Sequence, residues 1–213
     1  RWVTVVCRPG QYDEVIEEAI ASKSGDLRTS LGLPGRFPEW DLTLAIEPVL
    51  LTQLRDMADG YTRLDPTRAR VDADEGAAEA QSAAAALEEL RTMVGSGSVE
   101  IAVGPYSGAD LSTLSAEGWH DGFEQIQMGK QEVQQALGVG GPLNGACSPD
   151  LELTTDSLSY YADASIDHVV VGSRLAGLLT EEIGEGTVAV RARDAQNDRV
   201  TLVFADDALG DVM

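Results

Sequence analysis

Between Asp41 and Tyr61 the spacing of apolar residues changes once, at a proline. That change constrains the fold more than any other feature of the chain. Leu42, Leu44 and Ile46 alternate with Thr43, Ala45 and Glu47, the period of two of a short strand. Pro48 then stops the ladder. A proline suits the first residue of a helix, because its missing N–H would have no partner there. From Val49 onward Leu50, Leu54, Met57, Ala58 and Tyr61 fall on one helical face, and Gly60 suits the C-cap. The stretch reads as strand, tight turn and helix, which is half of a βαβ unit. Glu47 stands at the carboxyl end of the strand, where the active sites of α/β barrels gather.

The same reading extends along the chain of 213 residues, enough for one domain with a substantial core. Trp2–Cys7 predicts a first strand and Tyr12–Ala21 a helix. Lys23–Trp40 is a long connection rich in Gly and Pro, and connections of this length often serve function. Thr62–Asp74 reads as polar and irregular. The helix after it takes Ala80, Ala83, Ala84, Leu87, Leu90 and Val94 as its apolar face. Val99–Gly104 is a third strand. Asp110 suits the cap of a short helix, and Trp119, Phe123, Ile126, Val133 and Leu137 mark a longer one ending at Gly138. Strands are expected over Leu143–Cys147 and His168–Gly172. Between them Thr154 or Thr155 opens a helix holding Leu158 and Tyr161, and another runs from about Arg174 to Glu182. Thr187–Arg193 and Val200–Ala205 read as a hairpin about the turn DAQNDR. Seven strands, most alternating with helices, imply α/β architecture. An open doubly wound sheet is the alternative to a barrel.

Charge and motifs narrow the function. Fifteen basic against 36 acidic residues give a net charge of −21, and only Lys23 and Lys130 are lysines. With no basic face to release counterions, nucleic acid is excluded as a partner. Neither a Gly-x-Gly-x-x-Gly pattern nor a P-loop follows any strand, so nucleotide cofactors are not expected. No apolar run is long enough to span a bilayer, so a membrane would be reached only through parts absent from this chain. The chain begins at Arg1 and ends at Met213 in what reads as the first turn of a helix, and we read it as part of a longer protein. His120 and His168 are the only histidines. One is placed at a helix start and the other at a strand start, away from the carboxyl rim. They cannot supply a His/His/Asp metal centre, nor a base for a Ser or Cys nucleophile. No metal is expected.

Four stretches carry a resemblance to a known family. DLTLAIEPVLLTQLRDMADGY is similar to the second strand and helix of the family 57 glycoside hydrolases and their barrel relatives, the polysaccharide deacetylases, where a strand, Ser-Pro and Val-Leu-Leu-x-Gln-Leu are common; here Glu47 stands in place of that Ser. GSVEIAVGPYS (Gly97–Ser107) resembles the family's Gly-x-Val-Glu-Ile strand and aromatic loop. GPLNGACSPDLELTTDSLSYYADASIDHVVV (Gly141–Val171) resembles its segment ending in Pro-Glu, with a helix and strand after it. VTLVFADDALGDVM resembles its late Phe-Arg-Asp line. The order and spacing match over roughly the whole chain. The resemblance implies a single (β/α) barrel domain over residues 1–213, of about seven mostly parallel strands, incomplete where the chain stops. Similar wording in envelope proteins of high-GC Gram-positive bacteria implies a secreted or cell-envelope location, with the cytoplasm as the alternative.

Glycoside hydrolysis needs two carboxyl groups flanking one bond, about 5 Å apart for retention and wider for inversion. One of them must stay protonated, helped by desolvation. The carboxylates that follow strands are Glu47, Asp150 (with Glu152 nearby), Asp206 and Asp207. The resemblance puts Asp150 where the family carries its nucleophilic Glu. The shorter side chain sets the carboxylate back by roughly 1 Å, a misplacement that can cost on the order of a hundredfold in rate. Two departures weigh further against turnover. The first strand ends VVCRPGQY where the family has a His-bearing motif, and the family's acid, an Asp in a later segment, has no counterpart before Met213. Bland roles compete at each position. Asp150, after Pro149, suits a turn or a cap, and Glu100 inside a strand suits a structural pairing. Phe37 and Trp40 suit either a lid over a sugar or pins for their loop. Tyr106 stands in a rim loop where it would stack on a ligand. Cys7 and Cys147 each end a strand and form either a disulfide or two unrelated buried residues. The leading expectation is a degenerate, non-catalytic family 57-like domain that is structural or binds carbohydrate. The alternatives are a glycoside hydrolase or transferase on α-glucans, and an acidic protein-interaction module.

Overall fold

A computed structural model describes residues 2–7, 31–39, 41–64, 69–178, 188–194 and 199–205. The helix expected over Tyr12–Ala21, the side chains of Trp40, Asp206 and Asp207, and the DAQNDR turn lie outside the described residues. The backbone gathers into two compact units, residues 1–101 with 131–141, and residues 102–130 with 142–213.

In the first unit β1 (Trp2–Cys7) pairs in parallel with β2 (Asp41–Ile46), Trp2 opposite Asp41 and Cys7 opposite Ile46. A four-residue helix, α1 (Leu33–Arg36), interrupts the long connection before β2. Leu42, Thr43, Leu44, Ala45 and Ile46 are all buried. Strict alternation in the sequence therefore sits in a strand covered on both faces, as parallel strands usually are. α2 (Pro48–Ala58) opens on Pro48 and buries Leu50, Leu51, Leu54 and Met57. It stops where expected: Gly60 takes φ +91, and a Cβ there would lie 3.1 Å from the Ala73 carbonyl. Tyr61 is not part of this helix. It begins β3 (Tyr61–Leu64), which pairs antiparallel with β4 (Arg70–Ala73), so the stretch expected to be irregular is a hairpin. The hairpin is held by polar pairs, with Thr62 Oγ1 donating to Asp72 at 2.7 Å and Arg70 Nε to the same carboxylate at 3.1 Å. α3 (Ala78–Gly95) buries Ala80, Ala83, Ala86, Leu87 and Leu90 and packs on α2. Ala84, expected on that face, is exposed.

β5 (Val99–Val103) gives its first three residues to the first unit and its last two to the second. Glu100 is exposed and accepts from Thr43 Oγ1 at 3.5 Å. α4 (Leu111–Ala116) is followed by α5 (Asp121–Leu137), whose residues beyond Lys130 belong to the first unit. In that part Glu132 accepts from Arg55 at 2.9 Å.

In the second unit the end of β5 pairs with β6 (Gly145–Cys147), β6 with β7 (His168–Gly172) and β7 with β9 (Arg199–Ala205), all in parallel. β8 (Ala189–Arg193) pairs antiparallel with β9, the expected hairpin. The expected helix after Arg174 is a 3-10 segment over Ser173–Leu178. Tyr161 of α6 (Leu158–Asp163), Ile126, Val169, Val171 and Leu202 build this unit's core. Lys130 Nζ donates to the Ala164 carbonyl at 2.7 Å, the favourable place for a cation at a helix end. Burial holds that ammonium below the usual lysine range, partly offset by Asp167.

Among the described residues β1 pairs only with β2 and β8 only with β9, so each strand series is open at its outer edge. Of the (β/α) barrel expected from the resemblance, these strands form an open, mostly parallel series. The chain turns back antiparallel at β8 instead of supplying another parallel strand.

Asp110 caps α4 as expected, accepting from Ser112 N (2.9 Å), Thr113 N (3.2 Å) and Thr113 Oγ1 (2.5 Å). The bond to Thr113 holds its carboxyl below the usual carboxylate range. A lowered folded-state value means that this stability is present above the unfolded value and is lost as pH falls through the folded one. Asp110→Ala is expected to cost about 1 kcal/mol at pH 7. The difference from wild type in urea midpoint should shrink as the pH falls below 4.

Candidate active site

The parallel register of the second unit brings four strand ends to one edge. Val103 lies opposite Ala146, Cys147 opposite Val170, and Gly172 opposite Ala205. The segments that leave this edge are the Pro105–Gly108 loop after β5, Ser148–Glu152 after β6 and Ser173 after β7.

The β6 exit is the most tightly built. Ser148, 4% exposed, continues the ladder by donating its N–H to the Val170 carbonyl at 3.1 Å. Pro149–Leu151 form a single 3-10 turn, closed by Leu151 N to Ser148 O and Glu152 N to Pro149 O, both 3.0 Å. The Ser148 hydroxyl donates to the Glu152 carbonyl across the same turn. Within it Asp150 has φ +51 and Leu151 φ +58, two consecutive non-glycine residues in the left-handed region. Each such residue costs roughly 1–2 kcal/mol and persists only where the surroundings dictate it. The Asp150 carboxylate is exposed. Of the two bland roles, Asp150 has the turn, since the N-cap of α6 is Ser157, seven residues later, whose hydroxyl bonds back to Thr154 in the turn before the helix.

Beneath the turn lies Tyr161, fully buried. Burial pushes its phenol far above the ordinary tyrosine range, Ser148 pulls more weakly the other way, and Cys147 adds to the rise. No described group lies in hydrogen-bonding geometry to the Tyr161 hydroxyl. Sequence reading missed this support. Ser148 before Pro-Asp was its only local signal.

The β5 exit carries Tyr106, which is half-buried. Its backbone N–H donates to the Gln125 carbonyl at 2.9 Å, and Ser107 N and Oγ both donate to Gln125 Oε1 at 3.0 Å. The loop is thus clamped to the second turn of α5. Trp119, expected on the buried face of that helix, is 56% exposed. Gly118, with φ +70, turns the chain just before it, and the sequence signal was that glycine.

Glu47, in the first unit, occupies the N-cap position of α2 with extended backbone (φ −65, ψ 121), and its carboxylate does not cap the helix. Cys147 is buried, while the side chain of Cys7 lies outside the described residues, as do Trp40, Asp206 and Asp207. Among the described residues no three His, Cys, Asp or Glu side chains converge as metal ligands, and no helix is long and apolar enough to cross a membrane.

No protein-family profile matches this sequence, and no curated protein is significantly similar to it. Solved structures are. The 4-alpha-glucanotransferase of Thermococcus litoralis superposes with a TM-score of 0.69 at 18% identity, over 100% of this chain and 28% of that enzyme. A GH57 branching enzyme of Thermococcus kodakaraensis, solved with glucose, gives 0.60 at 14% identity over 96% of this chain and 47% of its own. The alpha-amylase AmyC of Thermotoga maritima gives 0.58 at 13% identity over 98% and 46%. The chain therefore has a GH57-like fold and spans between about a quarter and a half of the length of these enzymes.

Proposed function

We propose that this chain is a carbohydrate-binding domain of GH57-like fold that holds an α-glucan against the strand-end edge of its second unit, with Asp150 presented to the sugar. The observation that carries the reading is the Asp150–Leu151 turn. Two strained residues present an exposed carboxylate at the carboxyl end of β6, where the family resemblance puts a nucleophile. Strain of this kind collects at binding and catalytic positions. The named activities of the structural relatives, glucan transfer, branching and amylolysis, give the ligand class.

Binding without turnover is the first form of this proposal, because the shorter Asp150 and the missing His motif both weaken catalysis. One observation favours turnover as a second form. β9 ends at Ala205, two strands from β6 and so roughly 10 Å away. That approaches the wider spacing of an inverting carboxylate pair, and Asp206 and Asp207 follow next in the chain.

Affinity electrophoresis in glycogen, with cellulose as control, tests both forms. Wild type is expected to be retarded by glycogen alone, and Asp150→Ala to lose at least about fivefold of the affinity. Reducing sugar released by wild type but not by Asp150→Asn would select the turnover form. Migration indifferent to glycogen would remove both.

A further inference from the structure

We propose that Trp119 is a second contact for the same glucan, an aromatic platform that stacks on a glucosyl ring farther along the chain than the one at Asp150. This rests on the glucan reading above and extends it by one residue that neither composition nor motif assigns.

The argument begins with position. α5 lies between the parallel strands β5 and β6, so it runs back from the strand-end edge and starts on that side. The clamp of Tyr106 and Ser107 onto Gln125 levels the β5 exit with the second turn of α5. The helix starts at Asp121, four residues before Gln125 and roughly 6 Å of helical rise beyond that level, and Trp119 stands two residues before that start. It therefore stands outward of Tyr106 on the same side as the Asp150 turn.

The second point is rigidity. The Trp119 N–H donates to the Leu114 carbonyl at 2.9 Å, and its own carbonyl accepts from the Tyr160 hydroxyl at 2.5 Å. The Tyr160 ring presses on Gly122, where a Cβ would fall 2.5 Å from the ring carbons. The backbone on both sides of Trp119 is fixed, yet its indole is 56% exposed. A tryptophan serving the core would be turned inward, and scattered surface apolar residues do not require such fixing. An outward indole on a fixed backbone loses less conformational freedom on binding than one on a mobile loop, which is how an aromatic anchor gains affinity. The apolar C–H face of a glucosyl ring fits that surface. A sugar is also uncharged, and so is not repelled by a chain of net charge −21.

The test is isothermal titration of maltoheptaose into wild type, Trp119→Ala, Trp119→Phe and Asp150→Ala. Trp119→Ala is expected to raise Kd about tenfold and Trp119→Phe by less than about threefold, with the thermal midpoint unchanged because the side chain is exposed. Wild-type affinity in Trp119→Ala, beside a loss in Asp150→Ala, overturns this inference and leaves the glucan reading standing. Absence of binding by wild type overturns both. A readout independent of variant folding uses a protein in which Trp2 and Trp40 are replaced by Phe, so that Trp119 is the sole tryptophan. Maltoheptaose must protect its fluorescence from acrylamide, and unchanged quenching in a protein that binds the sugar overturns the inference.

Discussion

Gly122→Ala is expected to destabilise the second unit by about 2–3 kcal/mol, although it adds a single methyl group to a helix and removes a glycine from it. By helix propensity alone the change would stabilise by roughly 1 kcal/mol. Packing reverses the sign. The new Cβ would lie 2.5 Å from two carbons of the Tyr160 ring and 2.9 Å from a third, well inside contact distance. Tyr160 has little room to yield, being 9% exposed with its hydroxyl bonded to the Trp119 carbonyl. Overpacking of this kind typically costs 1–3 kcal/mol, and here the anchored ring puts it toward the upper end. Urea unfolding of Gly122→Ala, Tyr160→Leu and the double variant measures the clash. The double variant should be at least about 1 kcal/mol more stable than the sum of the singles implies. Strict additivity would mean that α5 and α6 do not meet at these residues.

The second large effect concerns Tyr161. Its hydroxyl is fully buried, and beyond the weak pull of Ser148 it makes no hydrogen bond of normal geometry among the described residues. An unsatisfied buried hydroxyl costs about 1–3 kcal/mol, so Tyr161→Phe should stabilise the protein by about 1 kcal/mol at pH 7. The difference should widen in alkali. The folded-state value is raised above the ordinary 10.0, so the unfolded chain ionises first. The contribution of Tyr161 is present in full below pH 10 and declines above it, by about 1.4 kcal/mol for each pH unit. Between pH 10 and 11.5 wild type should lose about 2 kcal/mol more than Tyr161→Phe. Parallel decline of the two curves would show that the phenol reaches solvent in the folded state.

Where one physical rule dominates, the sequence was enough. β7 runs over His168–Gly172 as the continuous apolar run predicted, and Asp110 caps α4 because a carboxylate before a short helix has few other uses. α2 begins at Pro48 because the period changes there. Where several arrangements satisfy the same pattern, tertiary packing decided. In the alanine-rich α3 nearly every position is apolar, so the choice of Ala86 over Ala84 came from α2 and not from the residues themselves. The β3–β4 hairpin escaped notice because its strands are only four residues long, too short for the alternation of Val71 and Ala73 with Arg70 and Asp72 to stand out, and the side-chain bonds that hold it are polar, among Thr62, Arg70 and Asp72. Closure was never legible, because a family resemblance conveys the order of elements, not whether edge strands meet.

The candidate site was legible in part. Asp150 and Tyr106 were picked out by their places after strands, and both are found at strand exits on one edge of the second unit. Their support was not legible. Left-handed backbone at Asp150 and Leu151 runs against what those residue types favour alone, and only the surrounding bonds of Ser148 and Val170 impose it. Trp119 fitted a helical face by spacing and lies outside the helix.

The outer strand β8 has a consequence for how the protein behaves in concentrated solution. Among the described residues its outer side pairs with no other strand, and such a row of backbone groups can recruit the same strand of another molecule. Along β8 the outward positions read Ala189, Arg191 and Arg193, with Arg199 opposite on β9. Two identical strands brought together would set guanidinium against guanidinium. At low ionic strength the overall charge of −21 adds a long-range repulsion between molecules. In molar salt that long-range repulsion is screened to about 3 Å, and at contact range only these few cations then oppose pairing along β8.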